Sequence, residues 1–413
     1  MHARRALVIG GSVGGLFAAH MLRAIGWEPH VYERVNDDLA GRGAGIGTHE
    51  ELLSILRRLG IAVDDSLGVK VDSRICLDRG GRITHEVKMP QTMTAWARIH
   101  RALKQLLPQD YYHAGMSLER VAQQADSVTA VFADGTRASG DLLVGADGIR
   151  STIRAQFAPD IGPRYAGYIA WRGIVDESAV SPTTRALMFE KYGLGLPDGE
   201  MILSYPVPGR DDDVRPGHRG CNFVWYHPTD EHSALPALCV DADGRRHGLA
   251  IAPPLIRPDV VESMRAEARA LFAPQFVELI DCTRQPFFQP IFDLESERVV
   301  YGHVVLLGDA AFVARPHVGL GVTKAALDAR CLAEAIVATG GDLDLALARY
   351  DKERRIFGSR VVARARQLGA YLQAQLKPRD QRTASELHQD PAVVMREIGA
   401  PLANIRELSG TAA

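Results

Sequence analysis

The chain lacks what membranes, disulfide frames, metal centres and nucleic acids require. No stretch of its 413 residues holds the roughly 18 consecutive apolar side chains that a bilayer-spanning helix needs. Its five cysteines (Cys76, Cys221, Cys239, Cys282 and Cys331) are an odd number with no C-x-x-C pair. That argues for reduced thiols in a cytosolic protein, with neither a disulfide frame nor a zinc site. No His/Asp/Glu cluster has ligand spacing, so no metal is expected. With 48 basic and 50 acidic side chains the net charge is −2, which leaves no electrostatic footprint for nucleic acid. Met1–Arg5 begins like a secretion signal, but Gly10-Gly11 breaks the following apolar run too early. A cytoplasmic location is therefore expected.

What is present is ordinary in bulk and specific in place. Hydrophobic residues at 46% and charged residues at 24% are globular values, in a chain long enough for more than one domain. Ala6-Leu7-Val8-Ile9 is a continuous apolar run, as in a parallel strand buried on both faces. Gly10-Gly11-Ser12-Val13-Gly14-Gly15 follows, then a helical stretch to about Ile25, a stop at Gly26, and a second strand, His30-Val31-Tyr32-Glu33. Gly10 permits the tight turn, and Ser12, where a glycine is usual, is small enough for backbone to approach a pyrophosphate. Gly15 lets helix pack on strand, and the helix N-terminus faces the phosphate charge. Glu33 lies 18 residues after Gly15, where a carboxylate accepts from ribose hydroxyls. A glycine-rich turn without ligand is the bland alternative, and strand, helix and acid all in place weigh against it.

Gly10-Gly11-Ser12-Val13-Gly14 also reads G-x-S-x-G, the nucleophile elbow of an α/β-hydrolase with Ser12 as nucleophile. Position argues against it. Such an elbow follows several strands, whereas only nine residues precede Gly10, and Glu33 would have no role. The serine hydrolase stays as a distant alternative.

Two later motifs continue the pattern. Leu142-Leu143-Val144-Gly145 runs into Ala146-Asp147-Gly148, with Ser151 placed to cap a helix; an ordinary strand–turn–helix would look much the same. Val304-Val305-Leu306-Leu307-Gly308-Asp309 ends in a carboxylate able to accept from a ribityl hydroxyl. The turn Arg315-Pro316-His317-Val318-Gly319-Leu320-Gly321 then opens a helix from about Thr323 to Ala338. Such a helix start offers N–H groups to the electron-rich edge of a flavin.

With three motifs in this order, the chain resembles the class A flavoprotein aromatic hydroxylases, the p-hydroxybenzoate hydroxylase family. Arg315-Pro316-His317, Thr94-Ala95-Trp96 and Val224-Trp225-Tyr226 look most like its 2,6-dihydroxypyridine 3-hydroxylase branch. The resemblance implies an α/β fold: a Rossmann-like FAD-binding domain interleaved with a mixed β-sheet substrate domain, plus C-terminal helices. The expected division is residues 1–165 and 295–345 for FAD, with a piece of substrate sheet inserted around 70–100. Residues 166–294 form the substrate domain and 346–413 a C-terminal helical region. It implies non-covalent FAD, NADH or NADPH as external reductant, and a C4a-hydroperoxide formed with O2 that hydroxylates an electron-rich ring. No second glycine fingerprint marks a separate nicotinamide domain.

On the same resemblance, Glu33 holds the adenosine ribose, Asp309 the ribityl chain, and Asp147-Gly148 serves FAD and pyridine nucleotide. The other expected FAD contacts are Gly10, Ser12, Val13, Gly14, Gly15, Arg34, Arg42, Ala44, Gly45, Val121, Gly308, Pro316, Gly319 and Gly321. Two departures stand out. The phosphate-touching arginine that many members carry is replaced by Trp96, leaving Arg98 or Arg42 as substitutes. The usual asparagine two residues beyond the third motif's last glycine is Thr323.

Residues from about 165 to 300 alternate in short runs that read as strands, including 168–175, 201–205 and 221–226. Arg210 to His218 reads as a solvated loop and Asp259 to Phe272 as a helix. Candidate pocket residues are Tyr205, Asn222, Trp225, His227, Phe288, Gln289 and His317, with core packing the bland reading for each aromatic. His317, Pro316, Tyr205 and His227 are the expected catalytic set, and His317, inside the flavin-facing turn, is placed to accept a proton from a ring hydroxyl. Asp351 to about Leu376 reads as a helix with a solvated basic face, and the last residues as a frayed end; the resemblance implies that such a helix can dock on a second subunit, so a homodimer is expected.

Function is thus expected to be hydroxylation of a hydroxylated pyridine or similar N-heteroaromatic. The alternatives are a phenol substrate, or epoxidation or halogenation on the same frame, although the halogenase Trp-x-Trp-x-Ile-Pro signature is absent. A non-catalytic flavin-binding module is the remaining possibility.

Overall fold

A computed structural model describes residues 4–36, 45–387 and 389–402. Two sheets divide the strands between them. The first has six strands in the order Val300–Tyr301, Val304–Leu306, Leu142–Gly145, Arg5–Ile9, Glu28–Glu33 and Tyr112–Ala114. All neighbours are parallel except the short outer pair. Its central strands are the apolar runs of the sequence, and Ala6, Leu7, Val8, Leu142, Val304 and Val305 are completely buried. The helices Val13–Arg23 and Gly321–Ala338 and the small sheet Leu118–Gln123, Val128–Phe132 and Arg137–Gly140 share this core. The chain enters at the middle of the sheet, so the three glycine-containing turns all open at the same carboxyl edge, where open α/β sheets bind ligands.

The second sheet has nine strands. Phe312–Val313, Phe287–Glu295, Arg164–Asp176, Gly220–Pro228, Met201–Val207, Tyr192–Gly195, Val69–Leu77, Ile83–Ala95 and Gly45–Gly47 lie side by side. Strand alternation gives this sheet two different faces. Cys221, Phe223 and Trp225 point to a core closed by the helices Pro258–Leu271 and Pro274–Asp281. Val224 and Tyr226 point the other way, with Tyr205 and Tyr192, toward the first sheet.

One long C-terminal helix departs from its expected bounds. The helix expected from Asp351 begins earlier and runs Leu343–Leu368, because the Asp342 carboxylate accepts from the Leu345 N–H at 3.1 Å and caps it. Nor is its basic face wholly solvated. Arg354 is buried 3.6 Å from Asp328, and Arg366 reaches Asp293 and Glu295.

Candidate active site

The carboxyl edge of the parallel sheet opens into a cavity of about 460 Å³. Gly10, Ser12, Val13 and Gly14 form one wall, Glu33 and Arg34 the next, then Asp147 and Gly148, and finally Gly308, Asp309 and Gly321. Both Glu33 carboxylate oxygens are fixed, accepting from Gly11 N–H at 2.7 Å and Val35 N–H at 3.0 Å, and each keeps lone pairs for a ligand. Asp147 accepts from Thr152 N–H at 2.8 Å through one oxygen, while the other is buried without a partner. Burial pushes its carboxyl above the usual range. Asp309 protrudes into the cavity, surrounded elsewhere by protein, and makes no hydrogen bond to a described residue. Desolvation raises its pKa and the nearby Asp328 adds to this, against the opposing pull of Lys324.

An elongated ligand with a phosphate in the middle and hydroxyls on either side fits this lining. The Val13–Arg23 helix points its N-terminus at the cavity, and Ser12 at its N-cap makes no side-chain cap bond. Its first-turn N–H groups therefore face the space a pyrophosphate would fill. A Cβ on Gly10 would collide with the Ala146 carbonyl oxygen, so backbone alone can line that turn. The residues present suit FAD: Glu33 for the adenosine ribose, the Ser12–Gly15 turn for the phosphates, Asp309 for the ribityl chain. Asp309→Ala is expected to weaken FAD binding by about 10- to 100-fold, the worth of a hydrogen bond to a charged group. Apo stability should hold or rise, because a carboxylate whose charge is disfavoured mainly by desolvation is removed. Calorimetric FAD titration and apo melting check both parts, and unchanged affinity contradicts the assignment.

Ser12 is no nucleophile. It lies in relaxed extended backbone (φ −74°, ψ 177°), not the strained conformation of an elbow, and its hydroxyl bonds no histidine among the described residues.

A second cavity of about 340 Å³ adjoins the first and shares Trp96, Asp309, Gly321 and Val322 with it. Pro316 and Gly319 form its cofactor side; Tyr192, Tyr205 and Tyr226 of the second sheet face them across it. Gly319 sits at φ 69°, the left-handed conformation that a glycine adopts freely, and ends the short turn that aims Gly321 at the cavity. Gly45 also lines this space, while Arg42 and Ala44 lie outside the described residues.

Several expected site residues are placed elsewhere. His227 is on the opposite face of its strand, bonded to Glu200 at 3.0 Å beside Trp225, because odd positions there face the helices. Val121 does not reach the cofactor cavity; both its backbone groups pair with the Gln156 amide. His317 is fully buried behind the wall, its ring 4.2 Å from Tyr226 and its Nε2 2.8 Å from the Tyr168 hydroxyl. Burial, with Arg315 and Arg172 nearby, pushes its pKa down to about 3, so it stays neutral and supports Tyr226 from behind rather than meeting a ring. Tyr205 lines the cavity but donates its hydroxyl to the Gly45 carbonyl at 2.7 Å, so it holds the Gly45–Gly47 strand in place. Arg98 is not a phosphate ligand: it pairs with Asp212 at 3.4 Å. Among the described residues, Arg34 and Arg150 are the arginines that line the cofactor cavity.

The sequence reading missed the segment 389–402. Its helix Pro391–Glu397 and the following Ile398 and Gly399 close one side of the second cavity. Buried Arg74 donates to the carbonyls of Met395, Ile398 and Gly399. His49 accepts from Thr323 Oγ1 at 2.9 Å and donates to the Ala400 carbonyl at 3.2 Å, and burial pushes its pKa down to about 4. No sequence signal marks this strap, because its partners lie some 300 positions away.

Comparison with known proteins agrees with this geometry. A family described as FAD binding domain-like matches residues 165–293, the part carrying most of the second sheet. The 2,6-dihydroxypyridine 3-monooxygenase of Paenarthrobacter nicotinovorans is 32% identical over 370 residues, which cover 89% of this chain and 91% of that protein. The structure of 2,6-dihydroxypyridine-3-hydroxylase from Arthrobacter nicotinovorans aligns with a TM-score of 0.85 at 30% identity, covering 94% of this chain and 99% of its own. A Klebsiella pneumoniae HpxO variant complexed with FAD aligns with a TM-score of 0.73 at 25% identity, over 90% of this chain and 91% of its own. Cofactor edge, aromatic cavity and kinship point the same way: the chain belongs to the FAD-dependent aromatic hydroxylases, a family of flavin monooxygenases.

Proposed function

We propose that the protein hydroxylates a hydroxypyridine or a closely related hydroxylated ring, using O2 and external NADH or NADPH. The observation that carries this reading is the second cavity, where a flat slot of tyrosines faces the turn Pro316–Gly321 across a space suited to one ring. When bound and reduced, FAD supplies the activated oxygen. The chain's own work is to position and to keep dry. Tyr192 and Tyr205 stack at 5.3 Å and form one wall, and the strap at Ile398 and Gly399 covers the side that solvent would otherwise reach. The reductant is taken to be external, since the sequence carries no second glycine fingerprint for a nicotinamide domain. A homodimer belongs to the same proposal, with the exposed Leu345 and Ile356 of the Leu343–Leu368 helix as its supporting feature.

The test is a screen of dihydroxypyridines, hydroxynicotinates and phenols for accelerated NAD(P)H consumption. A hydroxypyridine is expected to accelerate consumption at least tenfold, with hydroxylated product matching NAD(P)H used. Peroxide alone with every ring would refute the substrate assignment.

A further inference from the structure

Six arginines of the described chain are buried, and five of them have partners. Arg74 and Arg154 donate to backbone carbonyls, while Arg219, Arg315 and Arg354 meet Glu177, Asp293 and Asp328. Arg172 is the exception. It is 8% exposed and lines the second cavity, and its side chain forms no hydrogen bond or ion pair with any described residue; its Nε is buried without a partner. A buried charge with nothing opposite it is costly, and proteins keep one where a ligand supplies the missing charge.

The surroundings define that ligand. Arg172 sits on the strand Arg164–Asp176, opposite Val224 on one side and Phe287 on the other, so it projects from the face that carries Tyr226. The Tyr226 hydroxyl makes no hydrogen bond to a described residue and lines the same space. Asn222, two positions from Val224 on that face, has both amide atoms buried and unpartnered. The other charged or titratable groups of the cavity are already committed or lie apart. Arg315 is paired with Asp293, His49 is tied to Thr323 and Ala400, and Asp309 stands on the cofactor side without pairing to Arg172. His317 lies behind Tyr226, and Arg74 beneath Tyr192 is bonded to the strap. Among the described groups that line the cavity, Asp309, on the cofactor side, is the one acid left uncommitted, and no histidine there is free to take a proton from a bound ring.

We propose that Arg172 is the substrate's counterion: an aromatic or heteroaromatic ring enters this cavity already carrying one negative oxygen group, which seats against the guanidinium. This rests on the hydroxylase reading and specifies the ionic state of its substrate. A ring delivered as its oxyanion is also electron-rich enough to attack oxygen without a protein base, which fits the retreat of His317 from the cavity.

The experiment uses FAD-loaded wild type, Arg172→Gln and Arg172→Lys, with pentafluorophenol, pentafluorobenzoate and pentafluorobenzene as fluorine-NMR probes at a pH where the first two are anions. Wild type is expected to bind an anionic probe at least tenfold tighter than pentafluorobenzene, with the preference kept in Arg172→Lys and lost in Arg172→Gln. Pentafluorophenol winning identifies a ring oxyanion as the seated group, and pentafluorobenzoate winning identifies a carboxylate. Arg172→Gln should retain FAD and melt no lower than wild type, because an uncompensated buried cation has been removed; a merely structural arginine would give the opposite. Equal affinity of wild type for anion and neutral ring overturns the proposal, even if the glutamine variant does not fold. So does an unchanged preference in Arg172→Gln. The two readings fail separately. Anion selectivity without hydroxylation of any ring sinks the hydroxylase assignment alone, whereas coupled hydroxylation with unchanged KM in Arg172→Gln sinks the counterion alone.

Discussion

Gly15→Ala is expected to give a protein that neither retains FAD nor keeps wild-type stability, while Gly14→Ala, one residue earlier, folds normally. A Cβ on Gly15 would fall on the carbonyl oxygen of Gly10, with the Val8 side chain 3.2 Å away. Both neighbours belong to the strand and turn that start the parallel sheet, so nothing flexible can give way. The helix Val13–Arg23 would have to lift off the strand Arg5–Ile9, at a cost of about 3 kcal/mol or more. Its N-terminus would then no longer point at the phosphates. A Cβ on Gly14 meets only Leu307 Cδ2 at 3.4 Å and Ala325 Cβ at 3.5 Å, and alanine favours the helix by up to about 1 kcal/mol over glycine. Thermal unfolding of the apo proteins and calorimetric FAD titration check the pair. Equal melting temperatures for the two variants would show that the close approach is not what holds this edge together.

The contrast explains what was legible in the sequence. Gly10, Gly15, Glu33 and Asp309 announce themselves because their chemistry is local: a turn, a close approach, an acid at a strand end. The continuous runs Ala6–Ile9 and Val304–Leu307 likewise declare strands buried on both faces. Side-chain direction is harder, since it depends on register. One step along the strand Gly220–Pro228 puts Tyr226 in the cavity and His227 among the helices on the other face. A list of polar and aromatic residues from that segment cannot separate the two. His317 shows a third limit. Its place in the flavin-facing turn was readable, but not that the turn would rotate its ring away from the cavity and seal it beside Tyr168 and Tyr226.

Arg172 lies between these cases. The stretch Tyr168 to Val175 reads as a strand, yet an arginine within it has no sequence mark of being unpaired. What makes it conspicuous is that its cross-strand neighbours are Val224 and Phe287, while Asp293 and Glu295, farther along the adjoining strand, are taken by Arg315 and Arg366; that is a property of the assembled sheet. The same holds for Arg74, which the sequence offers as one basic residue among 48 and the structure turns into the anchor of the strap.

That anchor gives the second large expected effect. A chain ending at Gln389 removes the helix Pro391–Glu397 together with Ile398 and Gly399, which form one side of the second cavity. Arg74 loses its three carbonyl acceptors and keeps only Gln91 Oε1, at 2.9 Å, and His49 loses the carbonyl of Ala400. The cofactor cavity is lined by other segments, so FAD affinity should stay within about threefold, a shift of less than 1 kcal/mol. Coupling should not survive. With the strap gone, water would enter where the wall had excluded it, and oxygen activated there would leave as peroxide rather than enter a ring. The truncated enzyme is therefore expected to consume NAD(P)H with less than about a tenth of it appearing as hydroxylated product, a loss of at least 1.4 kcal/mol in partitioning. Arg74→Met, which releases the strap without deleting it, should fall between the two. Product and peroxide are quantified per NAD(P)H in the same assay. If the truncated chain stays fully coupled, the strap is packing alone, and the cavity must be kept dry by the tyrosine wall and the substrate itself.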